Sequence, residues 1–420
     1  MRIIVYPHSM EVGGSQLNAI QLAGAVRDRG HQVLVVSEPG SLVARVRDLE
    51  LPHVKLPAQR RYPSPAVARL LVRLAAEFRA DVVHGYEWPP AVEAFFGCRL
   101  LQGVTTVTTV MSMSVVPFLP RGLPLLVGTQ AIRGSALALG YRQVTLLEPP
   151  VDTEEDQPNA PGVDGTAFRA RYGLDPDVPL VAIVGRLVPV LKREGLLAAC
   201  AAVGRLAADG VAVQLAVVGD GPIRGEVQDA ADRANAAAGR QVAILTGELA
   251  DPRPAYAAAD VALGTGGSAL RAAAFAVPLV VVGEQGFSEL LTEQSLPIFL
   301  EQGWYGRGPG SLGTGVPALG QAIRMLVTDP GLRASLGSFA RRLVVQRFSL
   351  TAAAELQERV YATALTARPT TASLAADALH TSDGVLRYKL KRKYQTWRGT
   401  APTDDANAQP VVRSTELAHP

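Results

Sequence analysis

A chain of 420 residues with 48% hydrophobic content can bury the cores of two domains. Its 41 basic and 38 acidic residues leave a formal net charge of +3, which excludes a global field suited to nucleic acid. Two cysteines far apart, Cys98 and Cys200, exclude a disulfide framework or zinc spacing, and no apolar run approaches the ~20 residues of a membrane-spanning helix. The N-terminus enters a strand without the apolar core of a signal peptide, so a cytoplasmic location is expected.

Ile3 to Val5 is a short buried strand; Leu17, Ile20, Ala23 and Val26 then recur at helical spacing until Gly30, and Val33 to Val36 is the next strand. Strand, helix and strand in that order build parallel sheets. The alternation continues with a helix over 67–78, a strand ending at His84, a helix over 91–96, the Val/Thr-rich strand 104–110, and strands at 125–127 and 144–147. Residues 1–150 are therefore the first domain. Proline, glycine and aspartate crowd the following stretch, so 151–178 is expected to be a linker.

Strands at 180–185, 213–218, 241–246, 260–263 and 278–283 make 179–348 a second doubly wound domain, which finishes in helices over 318–326 and 330–345. A helix over 351–367 follows. From Arg368 to Pro420 apolar periodicity is lost, and a basic, loosely attached tail is expected. Its segment Arg387 to Arg398 interleaves basic and aromatic residues, which would also allow weak association with an anionic membrane surface.

The chemistry-bearing residues cluster at strand-to-helix loops, where open α/β sheets bind ligands. Arg186 and Lys192 lie between the strand ending at Val184 and the helix 196–206, and a forked guanidinium beside an ammonium point charge suits a diphosphate. Val217-Val-Gly-Asp-Gly-Pro222 is a second strand ending in a glycine turn. A dinucleotide fingerprint is missing, because Val12-Gly-Gly-Ser-Gln16 lacks the G-x-G-x-x-G spacing.

Glu11-Val-Gly-Gly-Ser-Gln16, Asp81-Val-Val-His84, Pro150-Val-Asp-Thr153, Val184-Gly-Arg-Leu187 with Lys192, the Gly219-Asp-Gly-Pro222 turn, Ala259-Asp260 and Phe348-Ser349 stand in an order that resembles family 4 retaining glycosyltransferases of the GT-B fold. The resemblance covers roughly residues 1–365. It implies two Rossmann-like doubly wound α/β domains facing across a cleft, with 349–367 as a helix crossing back to the first. It implies transfer of a sugar from a nucleotide diphosphate, such as a UDP- or GDP-sugar, with retention, no metal and no other cofactor. The acceptor is left open among small molecules, glycans and lipid-linked compounds, the last consistent with a place at the inner membrane face.

On that resemblance Arg186 and Lys192 match the pair that takes the leaving diphosphate, where fixed cations lower the barrier. Gly13 and Gly14 would admit the donor to backbone amides, or else form a tight turn. Gly185, Gly219 and Gly221 would allow close backbone approach, and Gly247, Glu248 and Leu249 match the region that holds the base. Gly267, Ser268, Ala269 and Leu270 open a helix whose amides suit phosphate or sugar oxygens. The chain departs from the family where two glutamates eight residues apart normally stand: Leu263 and Arg271 replace them. Arg271 is expected near the ribose, with Glu284 either supplying the missing acceptor or solvated in its loop. Met111 stands where similar enzymes often carry a histidine, so His84 becomes the catalytic candidate of the first domain. His8, Glu87, Trp88 and Met111 are expected near the acceptor, with Trp88 packing on a sugar ring. These departures keep a second reading open, a non-catalytic GT-B protein that binds a partner transferase or a glycan.

Overall fold

The computed structural model describes residues 1–11, 13–57 and 62–400. The described residues form two compact units, one of Met1–Pro150 with 350–400, the other of Val151–Ser349. Each is a twisted, mainly parallel sheet covered by helices on both faces. The first contains β1 (Arg2–Tyr6), α1 (Gly14–Asp28), β2 (Gln32–Ser37), α2 (Val43–Asp48), β3 (His53–Lys55), α3 (Pro65–Phe78), β4 (Val82–Tyr86) and α4 (Trp88–Ala94). A π-helical turn, Phe95–Arg99, leads to α5 (Leu100–Gln102), then β5 (Thr105–Val110), β6 (Leu125–Val127), α6 (Gln130–Ala138) and β7 (Val144–Leu146). Its strands lie in the order β3-β2-β1-β4-β5-β6-β7, all parallel.

The second unit contains α7 (Gly165–Arg171), β8 (Leu180–Val184), α8 (Pro189–Ala208), β9 (Gln214–Val218), α9 (Arg224–Ala238), β10 (Ala243–Gly247), α10 (Arg253–Ala258) and β11 (Val261–Gly264). It continues through α11 (Gly267–Ala274), β12 (Leu279–Val282), β13 (Ser288–Leu290), α12 (Leu296–Gln302), α13 (Gly315–Thr328) and α14 (Pro330–Arg347). The order is β10-β9-β8-β11-β12-β13, with only β13 antiparallel to its neighbour. The chain then returns to the first unit as α15 (Leu350–Thr366) and α16 (Thr371–Trp397).

The composition of each element explains its place. β9 reads Gln-Leu-Ala-Val-Val and is buried throughout, as a central parallel strand covered on both faces must be. Val203 and Leu206 of α8, Val227 of α9 and Leu319 of α13 form the core on one face of that sheet, while Ala272 of α11 and Val344 of α14 help to cover the other. Helix starts are marked by local chemistry. The Ser64 hydroxyl accepts from Val67 N at 3.4 Å before Pro65 opens α3, and Asp329 accepts from Leu332 N at 2.8 Å before Pro330 opens α14.

Two expectations are corrected. Residues 151–178 are not a linker but part of the second unit: they carry α7, whose Phe168 is buried against Leu180 and Ala255, and Arg169 is held by Asp260 at 2.6 Å. The chain beyond Arg368 is not a loose tail as far as it is described. Pro369 interrupts the helical run after α15, Thr370 caps the next turn by accepting from Ser373 N at 3.2 Å, and α16 continues for 27 residues. Residues 401–420 of the expected tail lie outside the described residues.

Candidate active site

In both sheets the strand order reverses beside the first strand of the unit, between β1 and β4 and between β8 and β11. Loops diverge at the carboxyl edge there and leave room for a ligand. In the second unit the loop after β8 is stacked on two others. Gly185 N donates to Val218 O at 2.9 Å, Leu187 N to Asp220 O at 2.8 Å, and Gly219 N to Gly247 O at 2.9 Å. Gly219 and Gly221 have φ of +142° and +153°, and a Cβ on either would come within 2.0 Å of Gly185 O or 2.4 Å of Leu187 O. Glycine at both positions is thus required by loop-on-loop packing.

The start of α8 is broken. Val190 is extended and Leu191 is left-handed at φ +67°, a strained conformation for a leucine. Two carboxylates hold the break. Glu284, just after β12, accepts from Leu191 N at 3.1 Å through Oε1 and from the Tyr305 hydroxyl at 2.5 Å through Oε2. Glu194 accepts from Gln285 N at 2.7 Å and from Gly286 N. The break turns Lys192 back over the end of β8, so that a Cβ on Gly185 would lie 2.5 Å from its Nζ. Burial, and then the neighbouring Arg186 guanidinium, push the Lys192 ammonium down to about 8.

Gly185, Arg186, Lys192, Gly264, Thr265 and Ser268 line one small pocket at the carboxyl ends of β8 and β11. Thr265 Oγ1 donates to Val282 O at 2.7 Å, and Ser268 Oγ donates to Thr265 O at 3.0 Å, which fixes the turn that opens α11. The first amides of a helix have no partner within it, so α11 turns partial positive charge toward the two cations. Neither the Arg186 nor the Lys192 side chain has a hydrogen-bond or ion-pair partner among the described residues. Two cations and a helix start without an acid among them suit an anion.

Residues 12–155 match the family model described as Glycosyltransferase Family 4, and residues 178–326 match that of Glycosyl transferases group 1. The chain is a family 4-like glycosyltransferase of the GT-B type. No curated protein matches it in a sequence search. Among solved structures, a glycosyltransferase from Rickettsia africae superposes with a TM-score of 0.69 at 16% identity, over 87% of this chain and 99% of that one. HepE of Anabaena, solved in complex with UDP, gives 0.67 at 18% identity over 86% and 100%; sucrose-phosphate synthase from Thermosynechococcus elongatus gives 0.63 at 17% over 86% and 99%. These likenesses concern the fold, two Rossmann-like domains.

Within the glycosyltransferase, other expected site residues lie elsewhere. Ala269 and Leu270 are fully buried in the core, and both their amides are spent on Gly266 O, so of that helix start only Gly267 and Ser268 remain accessible. Arg271 is not in the pocket: its Nε lies 3.3 Å from buried Asp156, whose carboxyl is raised to about 6 by burial despite that partner. Gly247, Glu248 and Leu249 border the stacked loops at the end of β10, with Glu248 exposed. Glu284 is not a solvated loop residue but the clamp of the α8 break. Trp304 is buried, stacked on Phe299 at 5.4 Å.

In the first unit the correction is larger. β4 runs two residues past His84, so this residue is interior and fully buried. His84 Nδ1 lies 2.7 Å from the Tyr361 hydroxyl and Nε2 lies 2.7 Å from Thr109 Oγ1, with the ring stacked on Tyr86 at 4.4 Å. Burial pushes its pKa down to about 3. It is a neutral anchor for α15, reinforced by Gln357, which donates to Tyr361 at 2.7 Å, and it is closed off from solvent. Glu87, at φ +69°, accepts from Ser15 Oγ at 2.6 Å, Met111 N at 3.0 Å and Ser112 N at 3.2 Å. It ties the ends of β4 and β5 to the first turn of α1. Trp88 is buried edge-on to Phe118 at 5.4 Å and cannot offer its face to a sugar. Gly13 and Gly14 form no tight turn: Gly13 is the extended residue that starts α1, and a Cβ on Gly14 would meet nothing within 4 Å. His8 is half-buried with Nε2 at 3.2 Å from the Gln16 amide nitrogen. Of the residues expected here, His8, Gly13, Gly14 and Met111 are not fully buried.

Proposed function

We propose that this glycosyltransferase moves a sugar from a nucleotide diphosphate, a UDP- or GDP-sugar, to an acceptor with retention of anomeric configuration. The observation that carries the reading is the pocket in which Arg186, Lys192 and the start of α11 converge. HepE, of the same fold, was solved with UDP-glucose as well as with UDP. When the bond from the anomeric carbon to phosphate breaks, negative charge grows on the departing diphosphate, and cations already in place stabilise it without reorganisation. In this reading Lys192 takes that charge beside Arg186, and the two do the work that a divalent metal does elsewhere. The donor belongs to the second unit. The acceptor, a small molecule, a glycan or a lipid-linked compound, belongs to the first, near His8 and Met111.

The test is release of nucleoside diphosphate from a panel of UDP- and GDP-sugars, with Lys192→Ala alongside. Release that depends on Lys192 supports the reading; robust release indifferent to the substitution overturns the leaving-group role. A second reading, a non-catalytic GT-B protein that binds a partner transferase or a glycan, is favoured by the burial of His84 and by the pairing of Arg271 with Asp156 at the position of a family glutamate. Calorimetry separates the two, since absence of nucleoside diphosphate binding favours the second.

A further inference from the structure

α16 has two unlike faces. The inner face is fastened to its own unit. Asp377 accepts from Arg121 N and Gly122 N, both at 3.1 Å, His380 Nε2 lies 2.9 Å from Pro117 O, and Val385 is buried. Tyr388 meets the Trp88 ring at 5.5 Å. A Cβ on Gly384 would come 2.2 Å from Phe118 Cβ, so glycine lets the helix seat closely. The opposite face carries an apolar stripe, interrupted by the Asp383–Arg387 ion pair. Leu379, Leu386, Leu390, Tyr394 and Trp397 are 74%, 58%, 59%, 51% and 80% exposed. At 100° per residue they fall within one narrow sector, extending about 27 Å along the helix. The stripe ends in two aromatics, and no other element among the described residues covers it.

We propose that this face of α16 docks the enzyme on an anionic membrane surface, lying in the interface with the stripe turned toward the acyl chains. The choice of occupant follows from charge. Arg387, Lys389, Lys391, Lys393 and Arg398 flank or follow the stripe, and no acidic residue occurs between Gly384 and Thr400. Asp383, the acid before them, is neutralised by Arg387 at 2.9 Å. Apolar side chains with interfacial tyrosine and tryptophan, bordered by lysine and arginine, match an anionic headgroup layer over acyl chains. A second copy of the same chain would set these like charges against each other. No helix among the described residues is long and apolar enough to cross a membrane, so such docking is peripheral. The inference rests on α16 alone and not on the donor chemistry.

The experiment is co-sedimentation of the full chain with vesicles of phosphatidylcholine, and of phosphatidylcholine mixed with phosphatidylglycerol, at low and high salt. Binding is expected to the mixed vesicles and to weaken with salt. It should fall roughly tenfold or more in a Leu386→Ser, Leu390→Ser, Trp397→Ser triple variant, whose sites are exposed and whose melting temperature should therefore not change. Trp88 and Trp304 are buried, so a blue shift of tryptophan emission on vesicle addition reports Trp397, and Trp397→Phe should abolish it. Failure of the chain to bind mixed vesicles, equal binding to both compositions, or undiminished binding by the triple variant overturns the proposal. So does a dimer in light scattering that the triple variant dissociates.

Discussion

The carboxyl edges of the two sheets occupy equivalent places and carry opposite chemistry. In the first unit polar groups satisfy one another: Glu87 accepts three hydrogen bonds from α1 and the end of β5, and His84 sits between Thr109 and Tyr361. In the second, carboxylates are spent on the backbone around Lys192 while the cations themselves are left without acids. A polar group whose bonding capacity is used up within the fold holds structure together. One held in place by neighbours but left unpaired is ready for a ligand.

Four changes test this contrast, beginning with the largest. Lys192→Ala should lower nucleotide-sugar turnover by about 100- to 1000-fold, as loss of one preorganised charge-stabilising group does, with little change in melting temperature. A variant that loses stability instead of activity would make Lys192 structural and erase the contrast. His84 supplies the converse. Its pKa, about 3 when folded, is below the ordinary 6.5, so the stability it confers is complete above pH 6.5 and is lost as pH falls, by about 2 kcal/mol at pH 5. Denaturant titrations of the wild type and His84→Gln should diverge by that amount in their pH dependence; parallel curves would mean the histidine charges in place.

Glu284→Ala removes the acceptor of Leu191 N and frees the α8 break, and should cost about tenfold in turnover through misplacement of Lys192. Calorimetric affinity for the diphosphate should weaken in step, whereas intact affinity with lost stability would reduce Glu284 to a packing role. The smallest effect is alkaline. Burial holds the Lys192 ammonium down to about 8, so if it takes the diphosphate as proposed, diphosphate affinity should decline a few-fold per pH unit above 8 while Arg186 retains its charge. Lys192→Arg should flatten that limb, and a limb unchanged in that variant would assign it to another group.

Much of this contrast is legible in the residues and their order. The buried run Leu180 to Val184, the glycine turn after Val218 and the helical spacing of Leu17, Ile20 and Ala23 follow from local periodicity, which a parallel sheet imposes on any chain that builds it. Arg186 and Lys192 could be read as a pair because loop position and charge type are properties of the chain itself. β3 and β13, three residues each and containing His53, Lys55 and Glu289, carry no apolar pattern and exist through pairing with a neighbour. The regular outer face of α16 was hidden in the chain by its lysines and arginines, and only its packed inner face shows which residues are left outside.

Residue order alone sets the alternation of strands and helices, the division after residue 150 and the place of the cations at a strand end, all of which depend on neighbours in the chain. Which polar residues are already partnered follows from the folded chain. His84, Trp88 and Arg271 stand at positions that invite chemistry, yet their partners Tyr361, Phe118 and Asp156 arrive from distant segments. Hydrogen bonds and ion pairs are satisfied in space and not along the chain, so whether a group serves the fold or remains for a ligand is settled there.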